Sequence, residues 1–196
     1  MDQSIEIHKL ASERLQDWLD YFDHDAFSDN PHWASCYCMF YLNDPKRTPW
    51  ETRTAQDNRF EAIQRIQSHR MHGYLAYQNG KMVGWCHAAP LSQLPNFEDP
   101  LGRPAAELAK IGVILCFNVF KELRRQGVAR ALLETACLGL QEQGISIAEA
   151  TPRVDTDAES SNYHGPLAMY QAAGFEVVGT EGQFALVRKE LDRIYS

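Results

Sequence analysis

The residues whose types and spacing best suit chemistry lie in one short stretch, Arg124-Arg125-Gln126-Gly127-Val128-Ala129-Arg130. Ahead of it runs an apolar segment, 111–119, with β-branched Ile111, Val113, Ile114 and Val119; behind it Val128, Leu132, Leu133, Ala136 and Leu140 recur on one helical face. That order reads as a strand, a tight basic turn and a helix. The first N–H groups of a helix lack intrahelical partners and lie at the positive end of its dipole, so such a turn is suited to phosphate. Gly127 would let an anion approach the backbone closely, small Ala129 would keep the next turn clear, and Arg124, Arg125 and Arg130 add positive charge. An ordinary strand–helix turn with a solvated basic rim has the same composition, so the turn alone specifies an anion site and not its ligand.

A second group with chemical potential is His32 to Tyr41, H-W-A-S-C-Y-C-M-F-Y. A metal reading would use His24, His32, Cys36 and Cys38. Zinc sites usually space their thiols as Cys-x-x-Cys, and Cys-x-Cys without a second pair fits poorly. No metal is assigned; the plainer reading is a buried aromatic segment with two core thiols. The carboxylates Glu98, Asp99 and Glu107 sit in a long segment, 90–110, punctuated by Pro95, Pro100, Gly102 and Pro104. Segments of that length in a compact domain are often functional, although any one of these carboxylates reads as solvated. His87 reads first as a strand-end histidine.

Elements must position these groups. A chain of 196 residues suits one domain with a substantial core. Its net charge of −7 argues against broad nucleic-acid binding. No apolar run approaches a membrane span. The opening Met1-Asp2-Gln3-Ser4 is not a secretory signal, and five cysteines at irregular spacing suit free thiols in a reduced, cytoplasmic setting. Alternation predicts a strand over 4–10. A helix follows, with Ser12 as N-cap and Leu15, Trp18, Leu19 and Phe22 inward. A surface helix is expected within 50–71, carrying Phe60, Ile63 and Ile66 and stopped by Gly73. Asn79-Gly80 between two apolar runs predicts a hairpin over 73–88 with a type I′ turn. The basic turn's helix closes at Gly144, and a strand is expected at 145–148. A polar, acidic loop follows over 151–162. A short helix starts at Pro166 and stops at Gly174, and a strand finishes at 184–191.

Arg124-x-x-Gly127-x-Ala129, set between a strand and an amphipathic helix, resembles the acetyl-CoA signature Gln/Arg-x-x-Gly-x-Gly/Ala of the GNAT N-acetyltransferases. Met169-Tyr170 followed by Ala173-Gly174-Phe175 resembles that family's closing motif, Leu-Tyr-x-x-x-Gly-Phe. The hairpin N-G-K-M-V-G-W-C-H-A-A-P is similar to its central hairpin, in a pattern found in bacterial small-molecule acetyltransferases. The resemblance runs from about residue 73 to 191, and the order of its motifs is more specific than either alone. It implies a single α/β (α+β) domain, 1–196, with a cofactor core over 73–191 and acceptor-side elements over 1–72. It also implies a mixed, mostly antiparallel central sheet of about seven strands flanked by helices. The activity implied is acyl transfer, from acetyl-CoA to a primary amine of a small molecule or peptide, releasing CoA. Direct attack in a ternary complex is expected, because no nucleophile elbow or P-loop is present. From a different class, a catalytically silent acyl-CoA-binding sensor would share the same turn. Homodimers are common in the family; nucleic acid and membrane are not expected as partners.

Residue by residue, the resemblance assigns the amides of Arg125, Gln126, Gly127, Val128, Ala129 and Arg130 to the pyrophosphate, with arginine side chains, Arg124 included, assisting. The edge at Phe117, Asn118 and Val119 would pair with the pantetheine arm as an added strand, and the Val119 N–H would polarise the thioester oxygen. Tyr170 stands where the family's tyrosine protonates the leaving thiolate, or else is a core aromatic. The family's cofactor-contacting Asn, seven residues before that Tyr, is replaced here by Tyr163, with Asn162 one residue earlier. Pro is common in the family where Lys121 stands. The segment around His32–Tyr41 would shape the acceptor side, with Trp33, Tyr37, His87 and Glu149 as acceptor contacts. A general base is sought among Glu149, Glu98, His87 and His164, and Cys116 and Asn118 could face the acceptor.

Overall fold

The computed structural model describes residues 4–97, 99, 101–154 and 163–191. Glu98 and Asn162, named above as a candidate base and a candidate cofactor contact, lie outside them. Seven strands form one sheet, in the order β1 (Glu6–Lys9), β2 (Tyr74–Gln78), β3 (Lys81–Pro90), β4 (Ile111–Val119), β5 (Ile147–Ala150), β7 (Phe184–Glu190) and β6 (Glu176–Glu181). Only the β4–β5 pair is parallel. Helices α1 (Leu15–His24), α2 (Ala55–Gln67), α3 (Ala105–Leu108), α4 (Val128–Glu142) and α5 (Leu167–Ala172) complete the fold.

Strand alternation divides the core in two. Leu75, Trp85, Val113 and Leu115 point to one side, where they meet Trp18, Leu19 and Phe22 of α1 and Met39 and Leu42 of the connecting segment. Ala76, Cys86 and Ile114 point to the other, against Val128, Leu132, Leu133, Ala136 and Leu140 of α4. Helix α4 lies close on the sheet: a Cβ on Gly139 would collide with the Tyr74 hydroxyl.

The Asn79-Gly80 turn has positive φ at both residues, 53° and 75°, as a type I′ hairpin requires. Boundaries moved where capping chemistry took over. Helix α2 starts at Ala55 rather than near Trp50, because Thr54 and Asp57 form a reciprocal capping box. Ser12 does not cap: it begins a short 3-10 turn ahead of α1, and its hydroxyl reaches only Glu13. Gln67 ends α2 well before Gly73. Strand β5 begins at Ile147, because the Ile145 N–H closes α4 on the Leu140 carbonyl. Strand β6, which has no clear alternation, was not foreseen.

The feature that positions the site is where β5 stops. Pairing between β4 and β5 covers Ile111–Ile114 against Ile147–Ala150. Thr151-Pro152 follows, and proline cannot donate to a ladder. Strand β4 runs on to Val119, so its last residues face a gap beside the N-terminus of α4.

Candidate active site

At that N-terminus Gly127 is the N-cap residue, with φ of 87° and no side chain to cap with. A Cβ there would meet nothing within 4 Å, so the backbone angle, not space, reserves the position for glycine. The Ala131 N–H donates to the Gly127 carbonyl at 3.0 Å. The N–H groups of Val128, Ala129 and Arg130 precede that first ladder bond and point out of the helix end, as an anion site requires.

The arginines differ from one another. Arg124 folds back: its Nη1 and Nη2 donate to the Asp29 carboxylate at 2.5 and 3.0 Å, and its Nε to the Val119 carbonyl at 3.1 Å. Its charge is largely matched by Asp29, whose carboxyl it holds below the usual carboxylate range. Arg124 therefore ties the end of β4 to the segment after α1 more than it offers charge to a phosphate. Arg130 pairs with Glu134 one turn on, in solvent. Gln126 donates to the Glu122 carbonyl, and Arg125 has a left-handed backbone with φ of 59°.

A cavity of about 810 Å³ opens here, lined by residues from both sides of the gap. The edge of β4 enters it differently from the expectation. The Phe117 N–H already donates to the Tyr163 carbonyl at 2.6 Å, so it is not open to a cofactor. Asn118 spends its side chain on structure, accepting from the Tyr21 hydroxyl at 2.6 Å and donating to the Ala26 carbonyl at 2.5 Å. The Phe120 N–H donates to Val83 on β3. Backbone donors alternate along a strand, so the Val119 N–H points the other way, into the gap.

The far end of the cavity is aromatic and thiol-rich. It is lined by His32, Trp33, Cys36, Cys38, Phe40, Tyr41, Trp50, His87 and Cys116. The Trp33 and Tyr163 rings meet edge to face at 4.5 Å, and Phe40 does the same with Tyr41 and Trp50. Of the suggested acceptor residues, Trp33 and His87 line this space. Tyr37 does not: it stacks on Phe22, and its hydroxyl donates to Asp23 at 2.8 Å. Glu149 is also displaced. It is 1 % exposed and clamped between Arg103 and Arg188, with contacts of 2.6 Å to each. A carboxylate so held is structural, and it leaves the list of candidate bases. His164 is buried outside the cavity lining, its pKa lowered to about 4 by burial.

Tyr170 is fully buried, with its hydroxyl donating to the His164 carbonyl at 2.7 Å and its ring against Phe117 and Phe175. It does not line the cavity, so the core-aromatic alternative describes its surroundings. Tyr163 does line it, through the position where the family's Asn is replaced. Trp50, Phe27 and Asp29 were missed as lining residues. Each lies in a connecting segment, and nothing in its local pattern announces a cavity.

The split parallel pair, the open helix end beside it and the cavity between them define the GNAT class of fold. The profile of the Acetyltransferase (GNAT) family matches residues 9–175, and the chain belongs to that family. GNAT acetyltransferases are acyltransferases. Solved structures share the fold at low identity. The PaiA N-acetyltransferase of Thermoplasma acidophilum, in complex with coenzyme A, is 19% identical with a TM-score of 0.55, over 95% of this chain and 99% of that one. YncA of Salmonella typhimurium, a putative acetyltransferase with its cofactor acetyl-CoA, is 12% identical with a TM-score of 0.52, over 98% and 96%. The ribosomal-protein-S18-alanine N-acetyltransferase of Escherichia coli is 14% identical with a TM-score of 0.51, over 98% and 97%. No curated protein sequence matches the chain. Among the described residues no helix is long and apolar enough to cross a membrane.

Proposed function

We propose that this chain transfers the acetyl group of acetyl-CoA to a primary amine of a small molecule or peptide, by direct attack within a ternary complex. The observation that carries the reading is the single cavity joining the open N-terminus of α4 to the aromatic end. Pyrophosphate is held by the amides of the Gly127 turn. The pantetheine arm runs along the gap between β4 and β5 and brings the thioester oxygen to the Val119 N–H, which polarises it as charge builds on oxygen in the transition state. Acyl-CoA binding is supported by the relatives solved with coenzyme A and with acetyl-CoA. A peptide amine as one acceptor class is supported by the Escherichia coli relative's action on a ribosomal-protein alanine.

The acceptor end suits an amine with an apolar body. Trp33, Tyr41 and Trp50 offer ring faces to a cation and its carbon skeleton, and the net charge of −7 favours the approach of cations. The test is a thiol-release assay with acetyl-CoA against amines, polyamines, amino acids, aminoglycosides and peptides, with cofactor binding followed by calorimetry. Amine-dependent release establishes the transferase. Tight cofactor binding without release across the panel overturns it in favour of an acyl-CoA sensor.

A further inference from the structure

The floor of the cavity holds a feature that acetyl transfer does not use. Cys38, His87 and Cys116 converge there from three separate segments, and their ligand atoms all lie within 4.8 Å of one another. This is the one such three-residue group among the described residues. It shares only Cys38 with the set His24, His32, Cys36 and Cys38 considered from the sequence.

Each member is held in place. His87 and Cys116 face each other in the β3–β4 register, next to an irregularity in the ladder. Cys38 has a left-handed backbone, φ of 53°, at the turn that brings it over β3. The two sulfurs are 3.4 Å apart. The Trp85 indole N–H donates to the Cys38 sulfur at 3.1 Å, a contact that strengthens when sulfur carries negative charge.

His87 is the odd member. It is 0% exposed, yet neither ring nitrogen has a hydrogen-bond partner. Burying a polar group without a partner is costly, and such a group in a native fold calls for an explanation. A cation between the three side chains supplies one, because a ring nitrogen then has a ligand bond.

We infer that Cys38, His87 and Cys116 form a binding site for a thiophilic cation of the Zn2+ class, with its fourth coordination position open to the cavity. Two thiolates and one imidazole are a known donor set for zinc sites that keep an exchangeable position. Zn–S bonds of about 2.3 Å and Zn–N bonds of about 2.0–2.1 Å place the donor atoms of one ion close to the separations seen here. Charge also balances. The two thiols release their protons to solvent as the ion binds, and two thiolates neutralise a divalent cation. The bound unit is then neutral, which limits the cost of burying it. All three residues border the cavity, and Cys116 is the half-buried one, so a ligand entering the cavity approaches the ion from the Cys116 side. A Cys38–Cys116 disulfide is the rival use of the sulfurs, but it leaves both His87 nitrogens unexplained.

The site is tested without acyl-CoA, so its outcome is independent of the proposed acetyl transfer. The full chain is reduced, stripped with a chelator, and titrated anaerobically with Co2+ and then Zn2+. The expected result is one Co2+ per chain, a thiolate-to-cobalt charge-transfer band, and displacement by Zn2+. Cys116→Ser and Cys38→Ser are expected to abolish the band and weaken Zn2+ binding by on the order of a hundredfold or more, and His87→Gln to weaken it less. Cys137→Ser, a thiol on α4 outside the cavity, is expected to change nothing. The wild-type titration needs no variant to fold, and half-buried Cys116 is the milder substitution if Cys38→Ser does not. Absence of stoichiometric binding by the wild type overturns the inference. So does binding of undiminished affinity in Cys116→Ser, or a two-hydrogen mass loss showing that the sulfurs prefer a disulfide under mildly reducing conditions.

Discussion

The two ends of the cavity are built in opposite ways. The end proposed to hold the anion is local: strand, turn and helix are contiguous in the chain, and its donors are backbone amides aimed by the φ of Gly127. The aromatic end is assembled from the segment after α1, the stretch before α2, and strands β3 and β4, and it works through side chains. A backbone site tolerates most changes of side chain and fails when the backbone is strained or its charge reversed. A side-chain site fails piece by piece. On the proposed reading, the difference separates residues that would set cofactor affinity from those that would set acceptor choice.

The strongest way to break the comparison is to damage the scaffold that both ends share. Glu149→Ala leaves Arg103 with Asp99 alone and takes the buried carboxylate from Arg188, which is expected to cost about 3 kcal/mol in urea unfolding. A loss below about 1 kcal/mol would mean that the clamp is dispensable. Next comes the local end. Gly127→Glu places a carboxylate where the proposed reading puts the phosphates, and CoA affinity is expected to fall on the order of a hundredfold, about 3 kcal/mol. Folding should survive, because the new side chain meets no neighbour, apart from about 1–2 kcal/mol of backbone strain.

Acid should erode stability through His164. Burial holds its pKa at about 4, against an ordinary value of 6.5. The folded state keeps the ring neutral while the unfolded chain takes up a proton, so stability falls as pH drops from 6.5 toward 4. The slope for one such group is at most about 1.4 kcal/mol per pH unit. Urea midpoints at pH 7 and pH 5 should show a flatter dependence in His164→Gln, and an unchanged slope would count against this assignment.

Smaller still is the effect at the aromatic end. Trp33→Ala is expected to raise the acceptor KM about tenfold, near 1.4 kcal/mol, with CoA affinity unchanged. Equal losses in both would show that the two ends are not separable. The smallest effect belongs to Tyr170→Phe, which removes one buried hydrogen bond and should cost about 1 kcal/mol of stability, with turnover held within about twofold. A turnover loss of a hundredfold, the scale of lost proton transfer, would restore Tyr170 as the thiolate's proton donor.

Some parts of the molecule were legible because short-range chemistry writes them. The Asn79-Gly80 hairpin, the strand at Ile111–Val119 and the glycine at the head of α4 each follow from neighbouring residues alone. Other parts were not. Strand β6 lies at the sheet edge, with Val177 and Val178 at 43% and 45% exposure, so no burial pattern marks it. Glu149 was counted among the acceptor contacts and the candidate bases; its engagement with Arg103, 46 residues earlier in the chain, is a tertiary contact that no local pattern announces. The free edge at Phe117 was anticipated, but not that Tyr163 would cover it.

What the sequence by itself determined is the glycine turn at the head of α4 and the order of elements that carries it, since a helix end, a glycine backbone angle and a 3.6-residue period are properties of contiguous residues. What only the tertiary structure decided is which side chains share the cavity. Arg124 is neutralised by Asp29, Glu149 is withdrawn into a clamp, and Cys38 meets Cys116 across 78 residues of chain. The physical reason is that such meetings depend on where β5 stops, how the segment after α1 turns and which face each strand presents. Packing of the whole chain settles these together, and no local pattern encodes them.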